Sequence, residues 1–265
     1  MSQQLGRPQI GVLADPLIRE GAAVSSQSYV GRLVTGLLLA AEARDATVLM
    51  VSPGQRTPPV RAWILLETGS RLRAPQQSSE VPVICAGVPW DGWDQGATST
   101  CEYPFTSIAV GIMNDLVASG SEAPGFCCPQ GDATWLAGLT TGYRAWCERT
   151  GRAPRITTYD RDPESARAAG AELVRSGADG VFHISNRLQR EVVEGVRSVS
   201  PDVPLTIFGE GVDGASFDPP VGVLSLEPNR TSTVLIDTAL TAINGGSPPR
   251  RVELPWTFTS ARPSV

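Results

Sequence analysis

Apolar and polar positions along this chain fall into blocks that read as strand, helix and strand in repeated succession. Residues 8–14 form a short apolar run (Ile10, Val12, Leu13, Ala14) ended by Asp15-Pro16, the pattern of a buried strand feeding a loop. Over 29–43 the residues Val30, Leu33, Val34, Leu37, Leu38 and Ala41 recur at helical spacing, which predicts an amphipathic helix. Another apolar run fills 46–51. Such a βαβ unit implies a parallel sheet with right-handed crossovers. Runs at 62–66 and 81–85 predict further strands, and 107–118 predicts a helix stopped by Gly120. Residues 86–104 are rich in Gly, Pro, Trp and Asp, show no period and read as an irregular segment.

A second series follows. Strands are predicted at 125–128, 155–159, 181–185 and 204–208, separated by helices at 134–150, 163–176 and 186–198. The carboxyl end adds a strand at 221–226, a helix at 230–244 and a last strand at 252–258. Two doubly wound α/β lobes accommodate this alternation better than one very wide sheet.

Composition narrows the function classes. The chain has 265 residues, 41% of them hydrophobic, enough for two lobes with separate cores. The longest apolar run, 37–41, is too short to cross a bilayer, and residues 1–7 lack the apolar centre of a secretory leader, so a cytoplasmic location without membrane contact is expected. All 22 basic residues are arginine, which rules out Schiff-base lysine chemistry and a phosphate-binding GxxxxGK loop. There is one histidine, His183, read as a packed strand residue rather than a general base. The five cysteines, at 85, 101, 127, 128 and 147, read as buried thiols; no CxxC or HExxH spacing exists, and neither a metal nor a cofactor is expected. Gly209-Glu210-Gly211-Val212-Asp213-Gly214 matches GxGxxG after a strand, but residues 215–220 cannot supply the helix that a dinucleotide site requires. The net charge of −5, with arginines scattered, is a poor match to a nucleic acid backbone.

The order of motifs resembles the effector domain of the LacI/GalR family of transcriptional regulators. Ile10-Gly11-Val12-Leu13, the first long helix and 46–54 resemble its opening. Val81-Pro82-Val83-Ile84, Gly142-Tyr143-Arg144-Ala145, Ala178-Asp179-Gly180-Val181-Phe182 and Val203-Pro204-Leu205-Thr206-Ile207 continue the match. Asp218-Pro219-Pro220-Val221 and Pro248-Pro249-Arg250-Arg251-Val252-Glu253-Leu254-Pro255 extend it almost to the end. The resemblance implies a periplasmic-binding-protein type I fold: two Rossmann-like lobes with parallel sheets, joined by three crossovers, with a ligand cleft between them. The expected division is an amino-terminal lobe of 8–121 plus 228–250, a carboxyl-terminal lobe of 122–220 plus 251–262, and a crossover at 221–227.

Ligands of open α/β sheets bind outside the carboxyl ends of the strands. That rule, together with the resemblance, nominates Asp15, Trp90, Glu102, Tyr103, Trp135, Arg161, Asn186 and Glu210 as ligand-binding candidates. Each also has a plain structural reading. Asp15 opens an Asp-Pro turn, Trp90 and Trp135 are packing residues, Arg161 is a solvated loop charge, Asn186 is a helix cap, and Glu210 is a loop carboxylate. Where the family places an acid before the helix near Phe105 the spacing falls on Pro104, with Glu102 and Tyr103 beside it. The family's arginine ahead of Gly142 is absent, and Trp135 stands in that stretch. The expected function is therefore an effector-binding and dimerisation domain that takes a sugar-like or other small polar metabolite and controls DNA binding allosterically, without catalysis. Its expected partners are a small-molecule effector, a second copy of the chain joined mainly through the amino-terminal lobe, and operator DNA only through a helix-turn-helix head that this sequence lacks. The alternatives are a solute-binding protein serving a transporter or sensor, and an enzyme built on an acid pair such as Asp15 and Glu210.

Overall fold

A computed structural model describes residues 6–14, 29–51, 58–66, 81–87, 96–131, 133–185 and 187–261. In chain order the elements are β1 (Gln9–Ala14), α1 (Tyr29–Glu42), β2 (Thr47–Val51), β3 (Ala62–Leu66), β4 (Val83–Ala86), β5 (Ser99–Glu102), α2 (Phe105–Ala118) and β6 (Pro124–Pro129). There follow α3 (Thr134–Thr150), β7 (Ile156–Tyr159), α4 (Pro163–Arg175), β8 (Gly180–His183), α5 (Gln189–Val199), β9 (Leu205–Phe208), β10 (Gly222–Ser225), α6 (Pro228–Ile243), β11 (Arg251–Glu253) and β12 (Thr257–Thr259).

The chain divides into two compact units, Met1–Tyr103 with Leu226–Pro255, and Pro104–Ser225 with Trp256–Val265. Three backbone crossings join them, at 103/104, 225/226 and 255/256. The first unit holds a six-stranded sheet in the order β11-β5-β4-β3-β1-β2, and its pairings are parallel throughout. Ile10 faces Val48 in β2 on one side and Ala62 in β3 on the other. Strands β1 and β3 are buried almost along their whole length, which is why they read as uninterrupted apolar runs. Gly11 is required where it stands, because a Cβ there would meet the Trp63 ring at 2.4 Å. Helix α6 lies over β3 and β4, packs along α1, and is tied to it by the Arg44 guanidinium, which donates to Asp237 Oδ2 at 2.9 Å.

The second unit has the order β12-β10-β9-β8-β6-β7, parallel except for β12, which runs antiparallel to β10 with Leu224 opposite Phe258. Helices α2 and α3 pack together, as do α4 and α5. The α4–α5 approach is so close that a Cβ on Gly195 would stand 2.0 Å from the Arg167 carbonyl oxygen. Under that pair lies a core of Leu173, Val181, Val192, Val196, Leu205 and Ile207.

Three features differ from the sequence expectation. Strand β5 lies inside the segment read as irregular. Its residues are Ser-Thr-Cys-Glu, so no apolar run announces it. The buried Ser99 and Thr100 hydroxyls donate instead to the Pro249 and Arg250 carbonyls at 2.6 and 3.1 Å. The single last strand expected at 252–258 is two strands, β11 beside β5 in the first sheet and β12 beside β10 in the second. Pro255, which has no backbone N–H to continue a ladder, separates them at the third crossing. The unit boundaries shift accordingly. Helix α2, expected in the amino-terminal lobe, belongs to the second unit, where it packs on α3, β6, β8 and β9; residues 251–255 belong to the first unit and 221–225 to the second.

Candidate functional site

Parallel strands end on one edge of their sheet, so each unit presents a rim of loop residues there. On the second unit, β9 ends at Phe208, and Glu210 follows two residues later with only 5% of its surface exposed. Ser225, the last residue of β10, donates its hydroxyl to Glu210 Oε2 at 2.9 Å. The carboxyl oxygens of Glu210 are hydrogen-bond acceptors held nearly out of solvent beside this hydroxyl. The pair is suited to receiving hydroxyl or amine donors from a polar ligand. Gln189 donates from Nε2 to the Phe208 carbonyl at 3.2 Å and so fixes the end of β9 to the start of α5.

Other candidates on this unit are placed separately. Trp135 is half-buried in the first turn of α3. Arg161 is exposed after β7, in a loop whose neighbour Asp162 caps α4 by accepting from the Ser165 amide at 2.9 Å. Asn186 lies outside the described residues, as do Asp15 and Trp90 of the first unit. His183 is the last residue of β8 and has no exposed surface; its Nε2 pairs with the Tyr159 hydroxyl at 2.8 Å.

On the first unit, Glu102 and Tyr103 stand at the end of β5. Glu102 is half-buried, and its Oε1 has no hydrogen-bond partner among the described residues. Tyr103 is buried, and its hydroxyl bonds the Leu226 carbonyl and the Thr231 hydroxyl, each at 2.7 Å. Its polar atom is thus engaged by the protein itself. Ser225 and Tyr159 are the residues that sequence reasoning missed. The only signal for Ser225 was a hydroxyl inside the apolar run 221–226.

Burial pushes the Cys127 and Cys128 thiols up to about 12 and Cys101 to about 11, which leaves them as packing groups rather than nucleophiles. The GxGxxG stretch forms a turn and a single 3-10 turn at Gly214–Ser216 capped by Asp213, and β10 follows, so no α-helix N-terminus receives a pyrophosphate. A surface depression of about 370 Å³ lined by Arg190, Glu194, Arg197 and Phe217 is built on α5 and the 214–218 segment, not on strand ends. Arg197 there lies over the Phe217 ring at 6.0 Å and donates to the Pro219 carbonyl, so it serves the local structure. Among the described residues no helix is long and apolar enough to cross a membrane.

Among the described residues, two six-stranded, mostly parallel sheets flanked by six helices, with three chain crossings, define a periplasmic-binding-protein-like fold of the type found in LacI-family transcriptional regulators. Among solved structures, a transcriptional regulator CelR–cellobiose complex is similar with a TM-score of 0.74 and 16% identity, over 96% of this chain and 84% of that one. A putative transcriptional regulator LacI from Bacillus cereus subsp. cytotoxis NVH 391-98 gives 0.76 at 13% identity, over 96% and 97% of the two chains. A LacI-family regulator from Arthrobacter sp. FB24 in complex with lactose gives 0.70 at 13% identity, over 96% and 98%. No protein-family model matches the sequence, and no curated protein matches it.

Proposed function

We propose that this chain is the effector-binding part of a LacI-like transcriptional regulator and takes a small, hydroxyl-bearing ligand at its strand-end rims without transforming it. The observation that carries the reading is the buried Glu210 carboxylate with Ser225 at the carboxyl ends of β9 and β10, on a fold whose named neighbours include cellobiose and lactose complexes. A buried carboxyl acceptor at the end of a strand discriminates between ligands that donate to it and ligands that do not. Glu102, Trp135, Arg161 and Asn186, with Asp15 and Trp90, are the remaining proposed contacts. The named neighbours are all regulators, which favours this reading over a solute-binding protein or an enzyme.

A regulator of this kind works by population shift, so its ligand must bind one arrangement of the protein better than another. Self-association through the first unit is supported by Leu38, Leu39 and Met50, large apolar side chains left exposed on α1 and the edge strand β2. The test is isothermal titration of the purified chain with cellobiose, lactose and a panel of monosaccharides, polyols and nucleosides. Saturable binding that Glu210→Ala weakens at least tenfold supports the reading. Binding indifferent to both Glu210→Ala and Asn186→Ala, or no binding across the panel, overturns the site or the ligand class respectively.

A further inference from the structure

Tyr103 is the last residue of the first unit before the first crossing, and Leu226 is the first residue of that unit after the second. The Tyr103 hydroxyl donates to the Leu226 carbonyl at 2.7 Å. Thr231 Oγ1, on the first turn of α6, lies 2.7 Å from the same hydroxyl, to which it gives its one hydrogen, and 3.2 Å from Leu226 O. The Tyr29 hydroxyl at the start of α1 completes the set at 3.1 Å, its ring edge-on to that of Tyr103. A phenol has one hydrogen to give and two lone pairs to receive with. With the hydrogen on Leu226 and the lone pairs facing Thr231 and Tyr29, the capacity of this buried hydroxyl is filled.

The backbone next to the contact is constrained as well. Glu227 follows Leu226 in the left-handed region, φ 48 and ψ 55, uncommon for a residue with a side chain and followed here by Pro228. The Thr231 amide donates to the Glu227 carbonyl at 2.9 Å, so Thr231 secures the second crossing through both its side chain and its backbone.

We infer that Tyr103 is a clamp that fastens the second crossing to the first, so that these two segments bend as one piece; the third, at 255/256, is held to the first by backbone instead, the Leu254 amide donating to the Glu102 carbonyl at 2.8 Å. Tyr103 acts through Leu226 and Thr231 and is a positioning residue, not a ligand contact. The inference does not depend on the identity of any ligand.

Hydrogen exchange followed by mass spectrometry on the full chain tests it with Tyr103→Phe, which keeps the buried ring and removes only the hydroxyl. Peptides spanning 99–108 and 224–232 should both exchange about tenfold faster, the factor expected when one buried hydrogen bond is lost. Peptides from 251–260 and from β1 to β3 should exchange as in the parent chain. A change confined to 224–232, no change in either segment, or a uniform rise across the first unit would overturn the clamp. Thr231→Val, which withdraws one partner, should move the same two peptides by a smaller factor. If Tyr103→Phe does not fold, that variant decides the matter on the same criteria.

Discussion

The hydroxyl of Tyr159, at the end of β7, lies 2.8 Å from Nε2 of His183, at the end of β8, and β6 runs between their strands. Their rings are 5.8 Å apart and tilted, and both side chains are buried beside the apolar core under α4 and α5. His183 Nδ1 has no hydrogen-bond partner among the described residues. Burial alone pushes the imidazole down to about 3, so the ring is neutral and its polarity is spent on one contact.

This depression makes His183 a source of acid sensitivity. The unfolded chain takes up a proton near the usual 6.5 and the folded chain only near 3, so between those values the unfolded state binds more protons. Stability contributed by this group is complete above about 6.5 and is lost as pH falls through the window, with a limiting slope of about 1.4 kcal/mol per pH unit. Urea unfolding from pH 7 to pH 4 should show a shallower decline for His183→Phe than for the parent chain. Equal slopes in the two proteins would contradict the neutral buried imidazole.

Tyr143 carries a comparable burden in the second unit. Its hydroxyl donates to the Pro124 carbonyl at 2.9 Å and accepts from the Arg155 amide at 2.8 Å, joining α3 to the starts of β6 and β7. Tyr143→Phe leaves two backbone groups without this partner, and a loss of about 1–3 kcal/mol is expected from chemical denaturation.

Gly195→Ala should also destabilise, although alanine is the better helix former by about 0.5–1 kcal/mol. The added methyl meets the Arg167 carbonyl oxygen at 2.0 Å, and neither backbone can yield without opening the α4–α5 contact. Overpacking of this kind costs about 1–3 kcal/mol, so the net change in unfolding free energy is expected to be a loss. A variant as stable as the parent would show that the two helices can separate freely.

Leu39 is 61% exposed and Leu38 47%, while Met50 on the neighbouring edge strand is 44% exposed. If this surface carries the proposed self-association, Leu39→Arg shifts sedimentation toward the monomer and leaves thermal unfolding of the monomer nearly unchanged. A parent chain that sediments as a monomer at high concentration removes the premise.

For the proposed ligand contact, Glu210→Gln and Ser225→Ala should differ in degree. Glutamine keeps one acceptor but removes the charge, so titration should show a loss of about 1.5–3 kcal/mol, the range of a hydrogen bond to a charged group. Ser225→Ala withdraws a neighbour rather than the acceptor and should cost about 1 kcal/mol or less. The opposite ranking would point to Ser225 as the direct contact.

Hydropathy made the central strands legible, because β3 and, past Gln9, β1 are buried on both faces and carry unbroken apolar runs. It failed at β5, where buried hydroxyls are satisfied by the backbone at 249 and 250, more than a hundred residues further along the chain. It also failed at 251–259, where a break at one proline assigns adjacent triplets to different sheets. Glu210 could be nominated because the position after a strand is itself informative. The engagement of Tyr103 could not, since its partners Leu226 and Thr231 are brought to it only by the return of the chain to the first unit.

That return has a consequence for how the protein is made. Strand β11 pairs with β5 and β12 with β10, so residues 251–259 supply the last edge of both sheets. During synthesis the first unit lacks α6 and β11 until residues 104–225 of the second unit have left the ribosome, and the edge of β5 stays unpaired for that interval. A message cut short just before residue 251 would yield a polypeptide in which both sheets lack an edge strand, so one truncation would damage both halves at once.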